Sequence, residues 1–535
     1  MSSMNTSRAR SSFRLKVDQG EGSDMNMVRK TTCLFIMVLS FACVASATQK
    51  TDGERHLNIV FLIADDLGYG DIGPFGQTKI KTPTLDKLAG QGMKLTRHYS
   101  GNAVCAPSRC VLMTGLHPGH AQIRDNREMK PEGQFPLKPG TRNLARILHE
   151  NGYATGGFGK WGLGAPDTDG RPVKQGFDRF YGYNCQAKAH NNYPTYLWDN
   201  DLKVEIKNPA FPAHQKLKAG ADLNNPDNFK RYSGLNYGMD LITDESLKFI
   251  EQNRDRPFFL YYPTIVPHLA LQVPGDSLGE YQGKLQDSPY DGSRGYLPNY
   301  SPRATYAAMV TRMDTSIGRI LDKIESLGLT HNTIVVFTSD NGPLYDRLGG
   351  TDTDFFQSAR DLRGRKGSLY EGGVRVPTIV KLPKKVPQNT TSAHMTGFED
   401  WLPTLLTLAG LKMEIPSGID GIDFSNILLG QSQLPRPFLY REFPGYGGQQ
   451  AVWSGKWKAV RQNLIRRERS NPNAVKRIQV TANTMKTELY DLEKDPSESE
   501  NVADRNPEIM SKLEKIMKSE HQYNPVFPFP VLDNH

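Results

Sequence analysis

Cysteine is scarce in this chain, with five residues among 535. Cys33 and Cys43 fall within an apolar N-terminal segment, which leaves Cys105, Cys110 and Cys185 in the rest of the chain. An odd number of thiols does not suit the disulfide framework that stabilises many exported proteins. We therefore expect at least one of these three thiols to serve another purpose.

Long apolar runs are also lacking. The run over residues 33–44 is too short to cross a bilayer, so no stable membrane span is predicted. It follows Arg29-Lys30 and precedes Ala45-Ser46-Ala47, a small-x-small cleavage pattern. Residues 1–47 are therefore predicted to form an N-terminal extension with a signal peptide. The mature chain would begin at Thr48 and be exported to the periplasm or secreted.

Dense clusters of basic residues are missing as well, although the formal charge is +9. Residues 1–47 contain six Lys or Arg and three Asp or Glu, so a chain from Thr48 would keep +6. A positive balance favours anionic partners such as phosphate or sulfate esters. Without a concentrated Lys/Arg arm, we expect no nucleic-acid partner.

Strand and helix patterns alternate along the chain. Three apolar runs predict buried strands, namely Asn58–Ala64, Phe258–Tyr262 and Thr333–Thr338. Helical patterns lie between them at Thr141–Asn151 and Ala304–Leu327. This order predicts an α/β fold with a large mixed, mostly parallel sheet sandwiched by helices. Ligands of such sheets bind beyond the carboxyl ends of the strands.

The domain organisation follows from changes in the pattern of strands and helices along the chain. We expect a catalytic α/β domain over residues 48–434 and a small C-terminal α+β domain over residues 435–535. The latter contains short strand patterns at Val452–Arg461 and Glu488–Leu492 and a helical pattern near Pro507–Glu520. Residues 164–236 are polar and weakly periodic, which is typical of a substrate-binding insertion.

Acidic residues follow two of the predicted strands. Asp65-Asp66 comes directly after the first strand, and Asp340-Asn341 follows the strand Thr333–Thr338. An Asp-Asp pair alone is usually a solvated turn, but two such groups at the carboxyl ends of buried strands indicate a site. Carboxylate and amide oxygens without His or thiolate favour Ca²⁺ or Mg²⁺ over zinc.

The most specific pattern is Cys105-Ala106-Pro107-Ser108-Arg109, which continues to Met113-Thr114-Gly115. A lone cysteine is most often a small buried apolar residue. Here, Pro107 suits the first position of a helix, so Cys105 is predicted just before a helix N-terminus, where an anion is stabilised. The stretch closely resembles the maturation motif of sulfatases, in which the cysteine is oxidised to formylglycine.

The resemblance extends over essentially the whole mature chain. Further segments that are similar to sulfatase motifs are Gly152–Thr155 with Gly159–Trp161, Val266–His268, Gly364–Gly367 with Tyr370–Gly373, and Glu488–Leu492 with Asp495-Pro496. The resemblance implies the alkaline-phosphatase-like fold. It also implies hydrolysis of sulfate esters, and a formylglycine-generating or sulfatase-maturating enzyme as a partner.

The resemblance further implies roles for individual residues. Asp65, Asp66, Asp340 and Asn341 would hold one Ca²⁺ together with position 105. Arg109 would brace the formylglycine formed from Cys105, Lys160 and Lys366 would hold the sulfate oxygens, and His268 would protonate the leaving alcohol. A hydrated aldehyde carries two hydroxyls on one carbon. One attacks sulfur, and the other later loses its proton and expels sulfate.

Gly162 departs from the family pattern, which commonly has histidine two residues after the Lys160 equivalent. That histidine is thought to assist sulfate release, so its absence leaves the base unassigned. Candidates are His190, His117 and His120, each of which has surface solvation as the more ordinary explanation. We hypothesise that the 164–236 insertion folds over the site, and that His190 approaches substrate and nucleophile in space left by Gly162.

Two other functions compete with the sulfatase interpretation. A phosphatase or phosphodiesterase of the same superfamily would need a Ser or Thr nucleophile and two transition metals with His ligands. An inactive binder of sulfated glycans would suit the loss at Gly162 but has no use for the acid His268. The polar insertion favours a carbohydrate sulfate as substrate through Asn191, Tyr193, Tyr196, Trp198 and Asp199.

Overall fold

The computed structural model describes residues 56–471, 474–479 and 485–533. The predicted signal segment lies outside these residues. The strands are β1 Asn58–Asp65, β2 Met93–Leu95, β3 His98–Tyr99, β4 Ala154–Lys160, β5 Arg179–Tyr183, β6 Tyr196–Asp199, β7 Leu202–Glu205, β8 Phe258–Pro267, β9 Thr333–Ser339, β10 Thr378–Lys381, β11 Thr390–Ser392, β12 Thr396–Gly397, β13 Leu439–Phe443, β14 Gln449–Ser454, β15 Trp457–Arg461, β16 Ile465–Asn471, β17 Ala474–Gln479 and β18 Thr487–Asp491.

The helices are α1 Pro83–Gly90, α2 Cys105–Thr114, α3 Leu144–Glu150, α4 Gly238–Gln252, α5 Gly275–Leu278, α6 Pro302–Ser326, α7 Glu371–Val374, α8 Trp401–Leu408, α9 Ser425–Leu428, α10 Pro507–Ser519 and α11 Pro530–Asp533. No helix in the described part of the chain is long and apolar enough to cross a membrane.

The large sheet has the strand order β11-β2-β10-β9-β1-β8-β4-β5-β6-β7. Its five central strands, β9 to β5 in this order, are parallel, and antiparallel strands lie on both sides. The three strands predicted from sequence are the adjacent β9, β1 and β8. The predicted α/β fold with a mixed, mostly parallel sheet is confirmed.

Side chains of β1 alternate between two hydrophobic cores. Val60 and Leu62 pack on the face covered by α4 and α6, whereas Ile59, Phe61 and Ile63 pack on the face covered by α2, α3 and α8. A strand buried on both faces must be apolar at every position, which explains the continuous run. The apolar stripe of α6 lies in the first of these cores.

Two boundaries differ from the sequence prediction. Strand β8 continues to Pro267, because its ladder with β1 extends past Pro263 until Pro267 pairs with Asp65. Helix α2 begins at Cys105 rather than at Pro107. The first N–H groups of a helix have no intrahelical acceptor, so proline is tolerated throughout the first turn.

The C-terminal part forms a four-stranded antiparallel sheet in the order β13-β14-β15-β18, with α10 packed on it. The other face of this sheet contacts residues near the start of α2 and around α7. The 164–236 segment contributes β5, β6 and β7, which extend the large sheet beyond β4. The predicted boundaries between domains stay predictions.

Candidate active site

The carboxyl ends of β1 and β9 bring four polar residues together. The two strands are parallel neighbours, with Ala64 opposite Ser339, so the residues that follow them meet at one edge of the sheet. The backbone N–H of Asp66 donates to Asp340 Oδ1 at 3.2 Å. Asp65, Asp66, Asp340 and Asn341 are all fully buried.

These residues form a set of hard oxygen donors. Single oxygens of Asp65, Asp66 and Asp340 and the Sγ of Cys105 all lie within 4.8 Å of one another. Asn341 Nδ2 donates to Asp66 Oδ1 at 2.7 Å, while Asn341 Oδ1 is buried with no hydrogen-bond partner among the residues that the structure describes. A buried acceptor without a partner costs about 1–3 kcal/mol. The set therefore fits a cation such as Ca²⁺ or Mg²⁺.

Cys105 lies at the centre of this cluster. Its Sγ is 3.3 Å from Asp65 Oδ1 and 3.7 Å from Lys366 Nζ. Burial, and then the charge of Asp65, raises the pKa of the Cys105 thiol. An unmodified Cys105 is therefore held as the neutral thiol, which is a poor nucleophile.

Three cationic side chains surround the carboxylates. Lys160 Nζ lies 2.6 Å from Asp65 Oδ2, and Lys366 Nζ lies 2.7 Å from Asp66 Oδ2. Arg109 binds Asp340 Oδ2 through Nε at 3.1 Å and Nη2 at 2.8 Å, and it also donates to the carbonyl of Lys160. The site thus pairs each carboxylate with one cation.

The pKa values of Asp65 and Asp340 are shifted in opposite directions. Burial raises the pKa of Asp65, but the charges of Lys160 and the neighbouring cations outweigh it, so that pKa lies well below its usual range. Burial and the charge of Asp65 raise the pKa of Asp340 to about 6. Asp65 is therefore the stronger acid of the two.

His268 follows β8 and reaches the same cluster. Its Nδ1 donates to the Leu269 carbonyl at 2.7 Å, and its Nε2 lies 3.4 Å from Asp66 Oδ2. Burial, and then the charge of Lys366, lowers the pKa of His268. Because Nδ1 holds the proton of the neutral ring, Nε2 is the nitrogen available for proton transfer at the site.

His190 stacks on His268, with ring centroids 4.9 Å apart and planes at 12°. The backbone N–H of Tyr296 donates to His214 Nδ1 at 3.3 Å, so neutral His214 carries its proton on Nε2. This Nε2 lies 3.2 Å from His190 Nδ1 and donates to it. Burial lowers the pKa of both His190 and His214. Neutral His190 therefore presents Nε2–H, which is a donor and not a base.

The side chain that packs beside Gly162 is Gln186, whereas His190 was expected there. A Cβ at Gly162 would lie 3.2 Å from Gln186 Nε2. Gln186 in turn donates to Asn126 Oδ1 at 3.3 Å, which also accepts the backbone N–H of Ala106. The hypothesis that His190 approaches through this space is wrong in that detail, because the Gln186 amide packs there.

Comparison with known proteins identifies the family of the chain. A family model described as Sulfatase matches residues 57–411. The chain belongs to the sulfatase family. A second family model, N-sulphoglucosamine sulphohydrolase, C-terminal, matches residues 365–523. As a sulfatase, the chain is an enzyme that hydrolyses sulfate esters.

Individual relatives resemble the sulfatase over most of their length. N-acetylgalactosamine-6-O-sulfatase from Bacteroides thetaiotaomicron is 30% identical over 88% of this chain and 94% of its own. Arylsulfatase A from Homo sapiens is 32% identical over 89% of this chain and 90% of its own. The crystal structure of Ps i-CgsB superposes with a TM-score of 0.67 at 25% identity, over 88% of this chain and 94% of that one.

The two other histidine candidates lie outside the sulfatase site. His117 Nε2 is 3.1 Å from Glu520 Oε2, and His120 Nδ1 is 2.8 Å from Asp420 Oδ1. Their rings stack at 4.2 Å. Because Gly119 N–H donates to His117 Nδ1, the proton of neutral His117 lies on Nε2 and is donated to Glu520. This arrangement favours a structural connection.

Sequence reasoning missed four residues around the site, namely Asn126, Gln186, His214 and Tyr296. None lies in a motif, and their chain positions show no periodicity that points to the site. His214 offers the weak signal of a second histidine in the 164–236 insertion. Of the aromatic residues expected to bind sugar, Tyr193 is 3% exposed and belongs to the core.

Proposed function

We propose that this sulfatase hydrolyses a sulfate ester on a carbohydrate, through formylglycine formed from Cys105 and with one Ca²⁺. Asp65, Asp66, Asp340 and Asn341, with position 105, would hold the cation. The observation that carries the proposal is the location of Cys105, in its maturation motif, among three carboxylates and two lysines. A plain thiol with a raised pKa would not perform this reaction.

When present, the hydrated formylglycine supplies a hydroxyl nucleophile and the cation supplies positive charge that stabilises oxyanions. Lys160 and Lys366 bind the sulfate oxygens, since their ammonium groups lie beside the nucleophile position. Arg109 keeps Asp340 in place and ties it to the Lys160 backbone. These charges offset the negative charge that develops on the sulfate group in the transition state.

His268 gives a proton from Nε2 to the leaving alcohol. Because Nδ1 donates to the Leu269 carbonyl, donation from Nε2 requires the imidazolium form. The negative charge of a bound sulfate ester favours that form, since it counteracts the charge of Lys366, which lowers the pKa of His268. Binding of the anionic substrate therefore shifts His268 toward its charged, proton-donating form, against the effect of burial.

The charge balance of the site favours an anionic substrate. Lys160, Lys366 and Arg109 match the three carboxylates one for one. A divalent cation would therefore leave the cluster with two net positive charges. Such an excess in a buried site attracts a sulfate monoester, which carries one negative charge.

A carbohydrate substrate is supported by the relatives. One relative is an N-acetylgalactosamine-6-O-sulfatase, and Ps i-CgsB has been crystallised with k-i-k-neocarrahexaose. In this chain, His190 would bind the substrate through Nε2–H, next to the acid His268. We further propose export, with the mature chain starting near Thr48, and maturation of Cys105 by a formylglycine-generating or sulfatase-maturating enzyme.

Mass spectrometry and turnover together test this function. Trypsin separates Cys105, in the peptide 98–109, from Cys110 in the next peptide. The first peptide should be about 18 Da lighter than its thiol form, as conversion of CH₂SH to CHO requires, and the second should be unchanged. The same spectra should locate the N-terminus near Thr48. A chelator should abolish turnover of sulfated saccharides, and Ca²⁺ should restore it.

Cys105→Ala should remove activity, whereas Cys110→Ala is the matched control, because Cys110 is buried on the same helix but belongs to the core. Full turnover with an unmodified thiol at position 105 would refute the formylglycine mechanism. Faster hydrolysis of p-nitrophenyl phosphate than of every sulfate ester, with rescue only by Zn²⁺, would favour the phosphatase alternative.

A further inference from the structure

A cavity of about 520 Å³ lies between the 164–236 segment and the residues Glu128, Lys130 and Pro131, and we name it the insertion cavity. Its lining includes Tyr183, Lys188, Asn191, Tyr196, Phe211 and His214. Its volume is within the range of pockets that hold small organic ligands. Neither the sulfate-binding lysines nor the carboxylate cluster is part of this lining.

Two histidines connect the wall of the insertion cavity to the active site. His214 lines the cavity and donates to His190, whose ring stacks on that of His268. Successive ring centroids are 4.9 Å apart from His268 to His190 and 5.4 Å apart from His190 to His214. Asn191, the residue after His190, also lines the cavity. The row of rings therefore runs from the acid His268 to the wall of the cavity.

The lining combines an oriented aromatic ring with polar groups that lack partners. Tyr196 donates its hydroxyl to Glu132 Oε2 at 2.5 Å, which fixes its ring, and the Lys203 ammonium covers one face of that ring at 3.8 Å from its centroid. Asn191 Oδ1 accepts the backbone N–H of Tyr193, and Asn191 Nδ2 has no acceptor among the described residues. Lys188 is exposed and, within the described chain, forms no ion pair with a carboxylate. A ring for stacking, an amide donor and an unpaired cation suit a saccharide with an acidic substituent.

We propose that the insertion cavity binds the saccharide unit next to the sulfated one, and that Lys188 binds an acidic group on that unit. The inference rests on the proposed function, since it assumes that the active site takes a sulfated sugar. The enzyme then prefers sulfated oligosaccharides over single sulfated sugars. His214 belongs to both places, because it lines the cavity and orients His190.

The test compares substrates of one unit with substrates of several. The short probes are p-nitrophenyl sulfate and N-acetylgalactosamine 6-sulfate, and the long probes are chondroitin 6-sulfate oligosaccharides and k-i-k-neocarrahexaose. Lys188→Ala and Tyr196→Ala should lower kcat/KM on the preferred long probe about tenfold, mainly through KM, which corresponds to about 1.4 kcal/mol. The short probes should change less than about twofold. Lys218→Ala is the control, because Lys218 is exposed in the same segment but does not line the cavity.

Binding separates the two proposals. Calorimetry with the inactive Cys105→Ala protein should show weaker binding of the long probe when Lys188→Ala is added. If the enzyme turns over the short probes, and Lys188→Ala changes neither binding nor turnover of the long probe, the cavity assignment alone is overturned. Equal losses on short and long probes would also overturn it. A matured enzyme that hydrolyses none of the sulfate esters would overturn the proposed function.

Discussion

Lys458 is a buried cation between two buried carboxylates, at the junction of the small sheet and the active-site loops. Its Nζ lies 3.1 Å from Glu371 Oε1 and 2.7 Å from Glu498 Oε1, and all three side chains are 0% exposed. Glu371 has a second cation, Arg375, at 3.6 Å. Glu498 has no other cation among the described residues. Removing Lys458 therefore leaves a buried charge without compensation.

We predict that Lys458→Met lowers the free energy of unfolding by about 3–5 kcal/mol at pH 8, the usual effect of breaking a buried ion pair from one side. Methionine replaces most of the lysine stem, so the cavity contribution is small. The loss is a large fraction of the 5–15 kcal/mol by which domains are typically stable.

The sign of the pH dependence follows from Glu498. Burial raises its pKa to about 7, from an ordinary value of 4.5, and Lys458 opposes that rise. Without Lys458 the pKa of Glu498 rises further, so the folded variant binds a proton where the unfolded chain does not. Its stability therefore falls as pH rises above about 4.5, and the loss at pH 5 should be roughly half that at pH 8 or less.

Urea denaturation followed by tryptophan fluorescence measures this loss, since Trp453 lies 4.5 Å from Lys458 Nζ. Lys456→Met is the control, because the Lys456 side chain is 34% exposed in its pair with Asp491, and the pair should contribute less than about 1 kcal/mol. A loss below about 1 kcal/mol at pH 8, or an equal loss at both pH values, would refute the reasoning.

Two further predictions concern the active site. Asn341→Ala should raise the Ca²⁺ concentration for half-maximal activity about tenfold or more, because it removes the unpartnered Oδ1. Asn332→Ala, at the other end of β9, is the control and should leave this concentration unchanged. Equal Ca²⁺ dependence of activity in the two variants would contradict the assignment of Asn341 as a ligand. Gly162→Ala should lose about 1–2 kcal/mol of stability and also lower kcat/KM, since φ is +78° and the new Cβ meets Gln186. Gly140→Ala is the control, because Gly140 has a similar φ of +72° but open space around it, so this variant should lose stability and keep its activity. Identical effects of the two variants on activity would argue against a role for the Gln186 contact.

Local patterns were enough to predict the centre of the molecule. Strands β1, β8 and β9 are buried on both faces, so their sequences must be apolar throughout, and this property is visible without a structure. The acidic residues that follow β1 and β9 could be placed together because parallel neighbours end at the same edge of a sheet. The Cys105 motif could also be recognised from the sequence, because its residues are adjacent in the chain.

Only the tertiary structure decided the surroundings of that centre. Strands β5, β6 and β7 were missed because the polar 164–236 segment is stabilised by pairing with β4 and not by its own periodicity. His190, His214 and Tyr296 meet through loops that are up to 106 positions apart in the chain, and such contacts leave no periodic signal. The same is true of two other contacts between separate segments, namely the Gln186 amide beside Gly162 and the cluster around Lys458. Strand composition is imposed by burial along one segment, whereas these contacts depend on how separate segments pack, which no single segment encodes.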